Sequence, residues 1–328
     1  MKAVPGRKTD VKDAEWIAEL LQHGLLQPSY IPSKDQRELR ELVQYRKSLV
    51  GERTRELNRL QKMLEGANIK LSGTVTNING KSARKILEYI LSGNEIDEKK
   101  YDEMYEEKLI AHNLKASKEQ ILDDLKGFMS PLQRRMLKEL LQHLDELNVH
   151  IENLNDEIDN FMKPEEKQAS QVIQDVTGIG NTSAQTIIAV IGTDMERFPR
   201  DRHISSWAGL CPGDNVSAKK RKSGKIRKGN ALLKSTLVLC AHAAVRHKSS
   251  YFHAQFKRIS THRGKKRAYV AVAHSILIAI YHILKDGVKY QDLGAEYYNQ
   301  FNAERKIHAY LKKLKALGWE PPKEAVPA

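Results

Sequence analysis

The sequence predicts a mainly α-helical protein with a long coiled-coil arm followed by a helical C-terminal domain. Three observations lead to this prediction. Apolar residues repeat at alternating spacings of three and four between positions 137 and 161. A second long, polar-rich helical pattern starts at Lys34. After Lys163-Pro164 the composition changes to glycine-containing turns and apolar helical runs, which is typical of a compact helical domain.

A short amphipathic helix is predicted first, from about Ala14 to Leu26. Asp10 and Asp13 precede or begin it, and a spacing of three places both carboxylates on one helical face. Two acids on one face can contribute to a divalent-metal site, although a two-metal nuclease site needs further carboxylates from other elements. Aspartates at this position also cap helix N-termini, and the spacing alone favours the cap.

The arm is predicted from two long helices within residues 34–165. In the first, the two seam positions of the heptad are occupied by Val43, Val50, Leu57 and Leu64 and by Leu39, Arg46, Arg53 and Leu60. Because a buried arginine is costly, we expect one face of this helix to be wet or to contact a polyanion. The seam of the second helix is more regular and consists of Leu137, Leu140, Leu144, Leu147, Ile151, Leu154, Ile158 and Phe161.

Short helices are predicted between them, over residues 82–91, 98–112 and 118–128, where Asn, Gly and Ser mark the turns. An antiparallel helical arm is the expected result. The pattern leaves open whether the seam closes within one chain or joins two copies.

Two glycines define the next motif, Val176-Thr-Gly178-Ile-Gly180, which is followed by an apolar helix. The pattern is helix, tight turn, helix, and we expect Gly178 and Gly180 to be backbone requirements at which a β-branched residue would clash. A helix-hairpin-helix of this kind directs turn amides at a DNA phosphate. A plain corner between two helices uses glycines in the same way, so both interpretations remain open.

A basic run follows the motif Gly209-Leu-Cys-Pro-Gly-Asp-Asn-Val-Ser217, and seven of the ten residues from Lys219 to Lys228 are Lys or Arg. Such a run can neutralise several phosphates, and the Ser217 hydroxyl at its mouth could attack one of them. The candidate DNA-binding residues, with the two turn glycines, are Lys219, Lys220, Arg221, Lys222, Lys225, Arg227 and Lys228. A solvated loop with a bystander serine is the alternative.

Two further helices are predicted, Gly229–Lys248 and Lys265–Leu284, with a second basic run at Lys257–Arg267 between them. The first should bury Leu232, Leu233, Leu237, Leu239 and Ala243. A polar tail from Asp292 to Gly318 should contain one more amphipathic helix. The histidines His242, His253 and His274 are expected to be ordinary helical residues.

The amino-acid composition indicates which classes of partner this protein can bind. A net charge of +14 and a pI near 9.5 favour a polyanion. The aromatic content of 6% argues against extensive base stacking. Cys211 and Cys240 form no zinc-binding pattern. The most apolar window, Val270–Leu284, contains His274 and His282 and is too short to span a bilayer, so a reduced, cytoplasmic, nucleoid-associated protein is expected.

Several motifs together resemble the DEDD transposases of insertion sequence family 110. The segment Lys8-Thr9-Asp10-Val11-Lys12-Asp13-Ala14 is similar to the end of the RuvC-like domain of that family. The C-terminal domain is similar at Val176–Gly180, Ala208–Pro212, Ser217, Ser223–Asn230, Lys266–His274 and Tyr290–Gly294.

The resemblance implies a remnant of a RuvC-like domain at residues 1–30, the helical arm at 34–165, a serine transposase domain at 168–290 and a helical tail at 291–328. It implies DNA strand exchange through a phosphoserine intermediate, with Ser217 as the nucleophile and Ser223 as a weaker candidate. It also implies Mg²⁺ bound by an acid tetrad whose last two members match Asp10 and Asp13, and a structured guide RNA. The coiled-coil arm is the expected contact of a homo-oligomer. The first two acids of the family precede this point, and only nine residues precede Asp10. We therefore expect a truncated protein that binds Mg²⁺ weakly.

Two other functions compete with an active transposase. One is a catalytically inactive DNA- or RNA-binding protein that keeps the glycine turn and the basic runs. The other is a helical bridging protein that uses the coiled coil alone, and DNA binding that is absent or insensitive to salt would favour it.

Overall fold

The computed structural model describes residues 10–26, 31–94, 96–110, 116–213, 215–217, 220–223, 226–300 and 303–319. The helices of the first half are α1 (Asp10–Gln22), α2 (Lys34–Gly66), α3 (Leu71–Thr74), α4 (Lys81–Leu91), α5 (Glu98–Glu106), α6 (Lys118–Asp124) and α7 (Pro131–Phe161). The second half contains α8 (Pro164–Ile173), α9 (Asn181–Ile191), α10 (Asp201–Trp207), strands β1 (Asn215–Ser217) and β2 (Lys220–Ser223), α11 (Ala231–Ala244), α12 (Tyr251–Arg263), α13 (Lys265–Asp286), α14 (Gly294–Gln300) and α15 (Ala303–Ala316). The mainly α prediction is confirmed.

The two long helices of the arm, α2 and α7, pack against each other in antiparallel orientation within the chain. Arg46 of α2 donates to Asn155 of α7, whereas Arg53, one heptad later, donates to Asn148, one heptad earlier. Helix α7 begins with a capping box in which Ser130 and Gln133 exchange side-chain and backbone hydrogen bonds. The seam therefore closes within one chain, and a role of the arm in joining two copies stays a prediction.

The seam of α7 differs from the predicted one at two positions. Leu141 is buried and Leu140 only half-buried, and Met162 is buried while Phe161 is 38% exposed. The expectation of a wet arginine face is wrong for Arg46, which is 2% exposed. A third helix, α9, covers this part of α2, and polar groups of α7 and α9 satisfy the guanidinium.

A second hydrophobic core lies at the far end of the arm, where α3 to α6 pack against both long helices. It is formed by Leu60, Leu64, Ile69, Leu71, Ile86, Leu87, Ile110, Ile121, Leu137 and Leu144, among others. The predicted helices at 98–112 and 118–128 are shorter than expected, because α5 ends at Glu106 and α6 at Asp124. This core is separate from the main one.

The main core surrounds α9 and α13 and also includes Leu39 and Val43 from the base of the arm. Helix α11 buries Leu233, Leu237 and Cys240 there, but Leu239 is 63% exposed and Ala243 is also exposed, so its predicted apolar side is wrong at those two residues. Helix α13 has 22 residues and is long and apolar enough to cross a membrane by length and composition. The argument that the apolar region around Val270–Leu284 is too short to do so is therefore also wrong. The apolar residues of α13 instead fill the protein core.

Helices at both ends of the described chain leave apolar side chains exposed. Helix α1 begins four residues earlier than predicted and has no buried residue; its exposed apolar residues include Val11, Ile17 and Leu21. The tail holds two helices rather than one, α14 and α15, and Ile307 and Tyr310 of α15 are exposed.

Candidate nucleic-acid interface

The basic run forms a β-hairpin, which the sequence analysis did not predict. Strand β1 pairs with β2 in antiparallel orientation, with Ser217 opposite Lys220 and Asn215 opposite Ser223. The register shifts between Asn215 and Val216. Within the described residues these two strands are the only sheet. Consecutive lysines and arginines carry no alternating apolar pattern, so strand signals were absent from the sequence.

The hairpin leaves the domain through a narrow backbone neck. Pro212 bridges to Ile226, and the Arg227 amide donates to the Cys211 carbonyl at 3.2 Å. Gly209 has a φ of +71°, and a Cβ there would lie 2.8 Å from the Arg227 carbonyl oxygen. A Cβ on Gly229 would lie 2.5 Å from the Ala208 carbonyl. The two glycines therefore allow the chain to cross itself closely, which accounts for their place in the motif.

The candidate residues lie at different positions along this hairpin, between its tip and its neck. Ser217 is next to the tip and Ser223 is nearer the neck. Lys220, Arg221 and Lys222 belong to β2, whereas Lys219 and Lys225 lie outside the described residues. Arg227 and Lys228 are exposed at the neck.

The neck leads directly into α11, and a cleft opens beside it. Asn230 is the N-cap of α11 and accepts a hydrogen bond from the Leu233 amide at 3.0 Å. The cleft has a volume of about 520 Å³ and separates Asn230 from Arg40 and Lys47 of α2. Among the described residues that line it, none is acidic. Both cations come from the arm, so the basic surface extends beyond the hairpin.

The glycine turn lies between α8 and α9, as the motif predicted. Gly178 has a φ of +94°, and a Cβ there would lie 2.5 Å from the Cys240 carbonyl oxygen of α11. Gly180 differs, because its φ is −101° and a Cβ would meet nothing within 4 Å. The predicted clash of valine at Gly180 is therefore wrong. Gly180 is the exposed N-cap of α9 and has no side chain to cap the helix.

Asp292 fastens the start of the tail to this turn, a role that the sequence analysis did not assign. Its carboxylate accepts hydrogen bonds from the Thr177 hydroxyl at 3.3 Å and from the Tyr251 amide at 2.9 Å. The Gly294 amide also donates to it at 2.9 Å. Burial raises the pKa of nearby Tyr290 to about 12, a hydrogen bond with Thr177 opposes that shift, and the charge of Asp292 adds to it. One carboxylate thus joins the turn, α12 and α14.

The two predicted metal ligands both belong to α1. Asp10 and Asp13 occupy the first turn of α1, Asp10 exposed and Asp13 half-buried. Carboxylates are suitable ligands for Mg²⁺. However, no group of three or more His, Cys, Asp or Glu in the described part of the chain could hold a metal ion. These two residues do not by themselves form the magnesium site that the resemblance implies.

Comparison with known proteins agrees with the motifs. Residues 170–257, which include the glycine turn, the hairpin and α11, match the family described as "Transposase IS116/IS110/IS902 family". Residues 2–69, which include α1 and α2, match the DEDD family of IS110 transposases, described as "Transposase". The chain is also 32% identical over 108 residues to a protein of Coxiella burnetii (strain RSA 493 / Nine Mile phase I) named "Transposase for insertion sequence element IS1111A". That match covers 32% of this chain and 29% of the relative. The chain therefore belongs to the IS110 family of insertion-sequence transposases.

Proposed function

We propose that this protein binds DNA through the basic hairpin and its neck and takes part in DNA strand exchange. The observation that carries the proposal is the hairpin itself: a basic strand projects from a neck of two closely packed glycines, with Arg227 and Lys228 exposed at its base. The closely packed neck fixes where these charges leave the domain, so they can meet a phosphate backbone together.

Two further features, which lie at opposite ends of α9, also support DNA binding. The N-terminus of α9 at Gly180 offers backbone amides that can bind phosphate. The cleft between α2 and α11 contributes Arg40 and Lys47 without an acidic residue in its described lining. We expect these contacts to position DNA without reading its sequence, because they face phosphates.

For the chemistry we propose Ser217 as the nucleophile. Its Oγ would form a bond to a phosphorus atom of the DNA backbone while the bond to a deoxyribose oxygen breaks; the hydroxyl proton leaves the serine and the departing oxygen gains one. A free DNA hydroxyl would then displace the serine from the phosphoserine and release the joined strand. Neighbouring cations would stabilise the developing phosphate charge. Asp10 and Asp13 do not complete a metal site, so magnesium binding stays a prediction and no step here depends on it.

A salt titration tests the binding proposal. Changing Lys219, Lys220, Arg221 and Lys222 together to glutamine should weaken duplex DNA binding and reduce the slope of log affinity against log salt by roughly 3–4 units, because four phosphates lose their contacts. The control changes Lys62, Lys81, Lys99 and Lys138, which are exposed on the arm, and removes the same net charge. Equal slopes for the two variants would contradict a specific role of the hairpin.

Covalent adducts test the nucleophile. Ser217→Ala should abolish protein–DNA adducts on a denaturing gel and leave DNA affinity nearly unchanged, because the change removes a hydroxyl but no positive charge. Ser223→Ala is the matched control and should retain the adducts. Adducts that persist in Ser217→Ala but disappear in Ser223→Ala would move the nucleophile to Ser223.

An inactive nucleic-acid-binding protein is the second candidate, since the exposed cations at the neck and in the cleft would serve binding without any chemistry. It predicts DNA or RNA binding with the same salt slope but no adducts in the unmodified protein. A structured guide RNA and a homo-oligomer also stay predictions. Competition between a structured RNA and duplex DNA, and sedimentation of the free protein, would test them.

A further inference from the structure

A buried arginine connects the arm to the glycine turn. Arg46 of α2 is 2% exposed, and its guanidinium donates to the Thr182 carbonyl at 3.1 Å and to the Thr186 hydroxyl at 3.4 Å. It also donates to Gln185 at 2.5 Å and to Asn155 of α7 at 3.0 Å. Thr182, Gln185 and Thr186 all lie in the first two turns of α9.

The partners of this guanidinium are neutral. A carboxylate is reached only through a second hydrogen bond. Gln185 accepts from Arg46 with its Oε1 and donates from its Nε2 to Asp159 at 2.6 Å. A buried cation without a directly paired acid is costly, and packed apolar side chains of similar size often stabilise a fold as well or better. Stability alone therefore gives a weak reason for an arginine here.

Helix α2 also holds the other end of α9. Arg40 donates to the carbonyls of Ala189 at 3.0 Å and Val190 at 2.5 Å, and the Gln36 amide donates to Ala189 at 3.4 Å. Positive charge at a helix C-terminus is favourable. Since α2 hydrogen-bonds to α9 at both ends, a shift of the arm would disturb the α9 side of the glycine turn.

We infer that Arg46 is a positioning residue: it holds the first turn of α9, and through it Gly180, in the place where nucleic acid is bound, and so couples the arm to the binding surface. This inference rests on the proposed contact between the turn and phosphate. The planar fork of the guanidinium reaches acceptors on two helices at once, which a single ammonium group cannot match.

The chain supplies a matched control at Arg53, one heptad after Arg46. Both arginines donate to an asparagine of α7, at 3.0 Å for Arg46 and 3.1 Å for Arg53. Arg46 also hydrogen-bonds to α9 and is buried, whereas Arg53 is half-buried. Arg46→Met and Arg53→Met therefore remove equal charge and equivalent contacts within the arm, while the first alone releases α9.

Two measurements are made on the full chain with a duplex DNA probe. Arg46→Met should speed amide hydrogen exchange in the first turns of α9 and lower DNA affinity about five- to tenfold, a range typical of coupled neighbouring sites. Arg53→Met should change both by less than about twofold for lack of such coupling. Arg46→Lys, which keeps the charge, should restore part of the affinity, and it carries the test if Arg46→Met does not fold.

A negative charge introduced at Gly180 tests the proposed phosphate contact separately from the role of Arg46. Gly180→Asp and Gly180→Asn both add a capping side chain where nothing lies within 4 Å, but only aspartate repels phosphate. The aspartate should weaken binding relative to asparagine, and by a smaller factor when Arg46 is methionine.

Three outcomes would contradict either the phosphate contact at the turn or the positioning role of Arg46. Equal affinities for Gly180→Asp and Gly180→Asn would overturn the phosphate contact at the turn, and faster exchange in Arg46→Met would then leave the arginine as purely structural. Additive effects of Gly180→Asp and Arg46→Met would refute the coupling. Exchange and affinity changes no larger than those of Arg53→Met would refute the positioning role itself.

Discussion

At the scale of single residues, the two glycines of one turn have different physical requirements. Gly178 combines a positive φ with direct contact to the backbone of α11, so it has no room for a side chain. Gly180 has an ordinary φ and open space around its Cα. The motif shows two equivalent glycines, but the surroundings of each decide which one the fold requires.

The same substitution at both positions tests this difference. Gly178→Ser should lower the free energy of unfolding by about 1–3 kcal/mol, as expected for overpacking against backbone. Gly180→Ser should be neutral or stabilise by about 0.5 kcal/mol, because serine is a good N-cap. Urea unfolding of the two variants measures both values, and similar losses would show that Gly180 is also a backbone requirement.

At the scale of elements, a small polar cluster fastens the start of the tail. Asp292 joins the glycine turn to the first amides of α12 and α14. Tyr290 packs beside it, with its ring stacked 6.4 Å from that of Phe252. Tyr290 makes this part of the fold sensitive to alkaline pH, because burial raises the pKa of its phenol.

Alkaline unfolding tests the contribution of Tyr290. Its pKa is raised from 10.0 to about 12, mainly by burial, so the folded state keeps the phenol proton at a pH where the unfolded chain loses it. The contribution of Tyr290 to the free energy of unfolding should be complete below pH 10. It should fall as the pH rises from 10 to about 12. Tyr290→Phe should remove this part of the decline in unfolding free energy, whereas Tyr45→Phe, at an exposed position, should not. An unchanged decline in Tyr290→Phe would contradict the assignment.

At the scale of the whole molecule, α2 and α7 connect two separate hydrophobic cores. Leu39, Val43 and Leu49 of α2 belong to the main core, whereas Leu60 and Leu64 belong to the core at the arm tip. The family match to residues 2–69 ends inside the tip of the arm, and the match to residues 170–257 lies in the main core. Helix α2 thus belongs to both parts of the protein.

Core truncations test how independently the two cores unfold. Ile86→Ala at the arm tip and Ile188→Ala in α9 both remove a fully buried side chain, and each should cost about 2–5 kcal/mol locally. Hydrogen exchange in Ile86→Ala should increase in α3 to α6 and leave α9 and α13 protected, because separate cores can open separately. Loss of protection throughout the chain in Ile86→Ala would show that the cores unfold as one unit.

The sequence by itself determined the long helices, the turn at Gly178, the basic run and the family, because heptad spacing, glycine placement and charge are local patterns. The tertiary structure decided that Arg46 is buried rather than wet, since burial depends on α9, which lies more than a hundred residues away. It also decided that Gly180 is sterically free, that the basic run is a hairpin on a glycine neck, and that Asp292 holds the turn. Each of these follows from contacts between distant segments, and no periodicity within one segment records such contacts.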